Sequence, residues 1–226
     1  MQRYNVFGQI HKGLRAFMYD TALSLQQTWF ADSSAGGAAL AKVDSVLAHF
    51  DAHAHHEDHF ILPAIARFEK ALVEEFEKEH VTDLELSNRL RSLLNIYYHC
   101  VSGEEKKEIG SAICKSFVEF MVFNLEHMAK EEILLNRTLW KHYTDDEIME
   151  IQQRLVATIP PQEMAEGAKW MFRGINNSEA IHWLKGVKEE APEFVFQSLL
   201  DIAEREMPAE RWNLIMDAVC EGAITV

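Results

Sequence analysis

Cysteine is scarce in this 226-residue chain, and so are proline and long apolar runs. Cys100, Cys114 and Cys220 are odd in number, widely spaced and without a C-x-x-C, so neither a disulfide framework nor a thiolate zinc site is indicated. With only five prolines the chain can sustain long helices. The alternating Val/Ile/Thr strands and the Asn-Gly or Asp-Gly turns of a β protein are missing. No apolar segment reaches 18 residues, and Met1-Gln2-Arg3-Tyr4-Asn5-Val6 leads into an amphipathic helix, not into a signal peptide's apolar run. A soluble, cytoplasmic protein with no membrane partner is expected. Positive charge is also short: 14 Lys/Arg face 20 Asp/Glu in residues 1–140 and 8 face 16 in residues 141–226, for a net charge of −14. No basic patch remains to hold a phosphate backbone, which excludes nucleic acid as a partner.

What the chain has is 3.6-residue periodicity over long segments, which predicts an all-α fold. A first helix over residues 4–30 puts Phe7, Ile10, His11, Leu14, Met18 and Leu25 on one face. Asp32-Ser33-Ser34-Ala35-Gly36-Gly37 reads as a turn. A second helix carries Leu40, Val43, Val46 and Phe50 inward and ends near Pro63. A third, over residues 69–98, turns Leu72, Phe76, His80, Ser87, Leu90 and Leu94 to one side. Ser102 is an N-cap for a fourth, which runs to about Trp140 with Phe117, Phe120, Met121, Asn124, His127, Met128, Glu131, Leu135 and Thr138 inward. Four such helices joined by short turns fold most simply as an up-down-up-down four-helix bundle, residues 1–142. Past it, Thr144-Asp145-Asp146-Glu147 caps a new start, and helices restart after Pro160-Pro161, Asn177-Ser178, Pro192 and Pro208. Residues 143–226 therefore read as a small bundle of short helices. Its expected core includes Trp170, Leu184, Phe194, Phe196, Leu199, Leu214 and Ile215, and no ligand constellation is visible in it.

The densest chemistry lies in residues 49–63, where five of the eleven histidines stand among carboxylates just before a proline. At 100° per residue, His53, Glu57, Phe60 and Ala64 share the stripe of Val46 and Phe50, with His49 and His56 at its flanks. An imidazole and a carboxylate one turn apart on a buried face are costly unless compensated, and a metal ion compensates both. The same His-x-x-x-Glu recurs as His127 and Glu131. Taking turn centres near residues 34, 67 and 102, His11 and His53 lie 23 and 19 residues from the first, Glu57 and His80 lie 10 and 13 from the second, and His80 and His127 lie 22 and 25 from the third. Each pair agrees to about one turn, roughly 5.4 Å of rise, so His11, His53, Glu57, His80, His127 and Glu131 can share one level. That set is two copies of a lone His followed by His-x-x-x-Glu. Mixed nitrogen and oxygen donors without thiolate suit iron or manganese, with zinc also compatible. The metal-free alternative is a helical interaction protein with buried core histidines. His49 and His56 stand as outer-layer or substitute ligands, and Asp83 as an outer acceptor or simply a helix-face acid. Tyr97 and Tyr98 read as core or rim residues, while His55, His59, His99 and His142 are assigned to solvent or loops.

On these residues the chain resembles the hemerythrin-like, or His-His-Glu cation-binding, domain family over roughly residues 5–142. The likeness is carried by His11-Lys12-Gly13-Leu14-Arg15, by His53-x-x-x-Glu57-Asp58 leading to Pro63, and by Asn124-Leu125-Glu126-His127-Met128-Ala129-Lys130-Glu131-Glu132. The resemblance implies a non-haem pair of irons of the Fe–O–Fe type and a protein that binds or senses a diatomic gas, O2 or NO, or acts in redox and nitrosative stress defence. An iron-handling module that stores or donates iron for iron-centre repair, with the C-terminal helices docking a protein partner, is the alternative. The oxygen carriers of that family supply two histidines a turn apart from the third helix. Here the positions flanking His80 are Phe76 and Leu84, which leaves four histidines and a pattern closer to the repair and nitric-oxide-responsive members. No nucleophile or general base is recognisable outside this set.

Overall fold

The computed structural model describes residues 3–220, and these form helices and connecting turns with no strand among them. The all-α expectation holds. The helices are α1 (Gly8–Gln27), α2 (Ser33–His56), α3 (Leu62–Ala66), α4 (Lys70–His99), α5 (Gly103–Lys130), α6 (Asn136–His142), α7 (Asp145–Val156), α8 (Pro161–Gly174), α9 (Asn177–Glu190), α10 (Glu193–Glu206) and α11 (Ala209–Cys220). Two π-helical turns, Glu57–Ile61 and Glu131–Leu135, join α2 to α3 and α5 to α6 without a break. Among the described residues no helix is long and apolar enough to cross a membrane.

The described residues form two compact units, 3–7 with 17–158 and 8–16 with 159–220. In the first unit α4 packs along α5 and α2 against α4. Asp32 caps α2 through the amides of Ser34 and Ala35, and Ser102 caps α5 through those of Glu104 and Glu105, as expected for Ser102. The Gly36-Gly37 pair, expected in a turn, lies inside α2 because Asp32 starts the helix before it. The expected boundary fell at residues 142 and 143. In the structure α7 packs with the first unit, where its Ile148 and Ile151 share a core with Phe7, Ile61, Ile65, Phe76 and Leu139. Arg3 fastens that join, donating to the carbonyls of Trp140 and Tyr143 at 2.8 and 2.7 Å and to Asp145 at 2.6 Å.

In the second unit α8 packs on α10 and α9 on α11, around Phe172, Ile175, Leu184, Phe196, Leu199, Ile202 and Ile215. Arg211 plays the part that Arg3 plays in the first unit. It donates to the carbonyls of Phe172 and Ile175, which satisfies the open end of α8. Phe194 and Leu214, expected in this core, are exposed. Phe194 sits in the first turn of α10, two positions from the inward-facing Phe196, and two residues on a helix are 200° apart.

Tyr97 shows how tightly the first unit is closed at its capped end. Its hydroxyl donates to the Phe30 carbonyl at 2.9 Å, and a Cβ on Gly36 would stand 1.8 Å from that hydroxyl oxygen. Gly37, its neighbour, has nothing within 4 Å of a Cβ. Gly36→Ala is therefore expected to cost about 1–3 kcal/mol through overpacking. Gly37→Ala should stabilise by about 0.5–1 kcal/mol through helix propensity. Urea unfolding midpoints of the two variants check the opposite signs.

Candidate metal centre

The two π-helical turns start on the two glutamates of the His-x-x-x-Glu pairs. Leu62 N–H bonds to the carbonyl of Glu57, and Asn136 N–H to the carbonyl of Glu131, each five residues back. A π turn inserts one residue and rotates everything after it by about 100° around the axis. The inward stripe after Glu57 is therefore Ile61, Leu62 and Ile65, all buried. Phe60 and Ala64, expected on that stripe by ideal helical phase, are only half-buried. Pro63 contributes to the first π turn, since it has no N–H for a carbonyl of the preceding turn. The second π turn has no proline to account for it.

Within the first unit Glu57, His80, His127 and Glu131 each offer one ligand atom, all within 4.8 Å of one another, and atoms of His53, Glu57 and Glu131 meet the same limit. The side chains of Glu57 and Glu131 are 3% and 0% exposed, those of His80 and His127 8% and 5%. His53 Nε2 lies 3.1 Å from Glu57 Oε1, His80 Nε2 3.3 Å from Glu57 Oε2 and 3.9 Å from Glu131 Oε1, and His127 Nε2 3.0 Å from Glu131 Oε1. The outer nitrogens are also engaged. His80 Nδ1–H donates to Asp58 at 2.7 Å and His127 Nδ1–H to Glu79 at 2.7 Å, directions fixed because a carboxylate only accepts. Lys130 reaches the other oxygen of Glu79. Phe123 stacks on His127 at 5.9 Å and Phe76 tilts against it at 5.6 Å, so its ring is packed on two sides.

The electrostatics of this set admit two solutions. Burial pushes His80 toward its neutral form, but Glu131, Glu57 and Asp58 overcome it and raise its pKa to about 11. In His127 burial is likewise outweighed, by Glu131 and Glu79, and the pKa rises to about 9. Either each ring carries a second proton, or each Nε2 presents a lone pair beside carboxylate oxygens and a cation sits among them. The donor chemistry fits the second. Asp58 and Glu79 hold each Nδ1–H, which leaves Nε2 as the ligand atom, the tautomer that metal-bound histidines take when a carboxylate backs them. His80 Nε2, although close to both glutamates, has no hydrogen bond of acceptable geometry.

Five of the six expected ligands, His53, Glu57, His80, His127 and Glu131, thus converge in one unit. His11 is fully buried on α1, in the stretch that belongs to the second unit. His49 turns away: its Nδ1–H donates to the Ser45 carbonyl at 2.8 Å and its ring packs edge-on to Phe17. His56 is half-buried and also outside the converging sets. Asp83 accepts from Asn124 at 2.6 Å and backs neither ring by a hydrogen bond; burial raises its pKa. Asp58 and Glu79 take that role, and the sequence carried a signal for it, since each adjoins a ligand, Glu57 or His80. Tyr97 is core and Tyr98 exposed, as are His55, His59, His99 and His182, while His142 stacks on Phe68 at 3.9 Å. Comparison with family models, with characterised proteins and with solved structures finds no match.

With pKa values of about 11 and about 9, both rings hold their second proton at pH 8 in the metal-free chain, and a metal ion must displace it. Metal uptake at pH 8 is thus expected to release protons from both His80 and His127, read as a buffer-dependent heat in calorimetry across two buffers of different ionisation enthalpy. Uptake without proton release would overturn the doubly protonated state of the metal-free rings. Glu79→Gln, which removes a backing carboxylate from His127, should weaken metal affinity by about 10–100-fold.

Proposed function

We propose that this chain is a hemerythrin-like, non-haem di-iron protein that binds or senses O2 or NO, or uses the iron pair in redox and nitrosative stress defence, in the cytoplasm. The observation that carries the reading is the pairing of Glu57 and Glu131, each opening a π-helical turn, with imidazoles whose outer nitrogens are already held by carboxylates. His11, His53, His80 and His127 with Glu57 and Glu131 are the residues that would hold the iron, on a four-helix bundle of α1, α2, α4 and α5.

Iron bound there would supply the redox chemistry and the affinity for a diatomic gas. The chain's own residues do the rest. Glu57 and Glu131 would neutralise bound cations, Asp58 and Glu79 keep the imidazoles of His80 and His127 aimed, and Phe76 and Phe123 pack around His127. Manganese or zinc also satisfies such donors.

The shortage of imidazoles on α4, where buried Phe76 and exposed Leu84 stand a turn either side of His80, favours a second reading. In it the site stores or donates iron for iron-centre repair, and the exposed Phe194 and Leu214 of the C-terminal helices meet a protein partner.

Anaerobic iron reconstitution should give two irons per chain, with an absorption spectrum that changes on admitting O2 or NO. His127→Ala and Glu131→Ala should each abolish stoichiometric uptake. Full iron in both variants would overturn the ligand assignment. Rapid stripping by a chelator with the fold retained selects the iron-donating reading.

A further inference from the structure

His55 and His59 lie outside the buried set, and their geometry is unusual for two solvent-exposed residues. Their rings touch with centroids 4.0 Å apart and planes tilted by 36°. His59 Nδ1–H donates to the His55 carbonyl at 2.7 Å, which anchors that ring to the turn and fixes its tautomer. Nε2 of His59 then carries an available lone pair. Both residues are exposed, and His55 Nε2 is on a ring held alongside.

Two imidazoles presented together from successive turns are a bidentate donor for a divalent transition-metal ion, with water in the remaining positions. Turning the two exposed rings about their χ2 torsions is what brings both free nitrogens to one ion. A net charge of −14 raises the local concentration of cations. The location adds meaning. His55 and His59 flank Glu57 by two residues on either side, so an ion held by them stands on the outer face of the same turn that carries an inner ligand, about one helix diameter, 10 Å, from it.

We propose that His55 and His59 form a second, surface metal site that captures a divalent transition-metal ion next to the buried centre. Two protein donors make a labile site, suited to receiving an ion and passing it on. The hand-over role rests on the proposed buried centre, and the chelate itself does not.

The test is zinc titration of the full chain after iron loading, comparing the unaltered protein with the His55→Gln, His59→Gln double variant. One additional weak zinc equivalent is expected in the former and its loss in the latter. Should iron not load at all, the same one-equivalent difference is still expected with zinc alone, which separates failure of this site from failure of the buried one. Equal zinc stoichiometry in both proteins overturns the surface site. The rate of iron uptake at limiting iron decides the hand-over: several-fold slower loading in the double variant with unchanged final iron content supports it, and equal rates with zinc binding lost overturn it while the surface chelate stands.

Discussion

Two carboxylates buried in the interior of a helical protein set the terms for everything around them. Glu57 and Glu131 sit within the first unit almost without exposure. Taking an ionised carboxylate out of water costs several kcal/mol even after relaxation, so their burial requires positive charge of comparable quality nearby. His53, His80 and His127 supply the donors, and Asp58 and Glu79 then hold two of those donors in place. The arrangement has acidic groups both inside and outside a layer of imidazoles. Such a layer is balanced either by extra protons on the rings or by cations between them. With cations at the centre, each outer hydrogen bond strengthens the inner donor instead of competing with it.

The backbone follows from the same demand. A regular α-helix that turns Glu57 inward carries its stripe on to Phe60 and Ala64, whereas the residues best suited to the core there are Ile61, Leu62 and Ile65. One inserted residue reconciles the two, and the π-helical turn at Glu57 is that residue. Glu131 has the same device in the partner helix. Local weakening of the helical ladder is thus concentrated at the two carboxylates, in a unit whose remaining helices are long and regular.

Much of this was legible in the sequence. The helices, the caps at Ser102 and Thr144, and the convergence of His53, Glu57, His80, His127 and Glu131 all follow from apolar periodicity and from distances counted to the turns. A count along a helix is reliable because rise per residue hardly varies. What escaped was phase and neighbourhood. A π turn leaves no compositional mark beyond Pro63, so the stripe past Glu57 was misplaced by one position. The acceptors behind His80 and His127 depend on which side chain faces which across helices, and Asp83, three residues from His80, was as plausible by spacing as Glu79 beside it. The attachment of α7 to the first unit rests on Ile148 and Ile151 in a shared core and on the long-range clamp from Arg3, and no periodicity reveals either partnership.

The choice of outer acceptors also bears on what such a centre can do. Asp58 is the residue after Glu57 and backs a ring on α4; Glu79 is the residue before His80 and backs a ring on α5. Each acceptor is therefore tied by its backbone to one ligand and by its side chain to another. A displacement at Glu57 is carried through Asp58 to His80, and from the neighbouring Glu79 to His127. Side chains linked in this way respond together to a change of charge among them, because moving one alters the hydrogen bond that fixes the next. Lys130, which shares Glu79 with His127, brings that chain to the surface one residue before Glu131. Changes in charge among these buried side chains thus have a short, continuous hydrogen-bonded route to an exposed lysine.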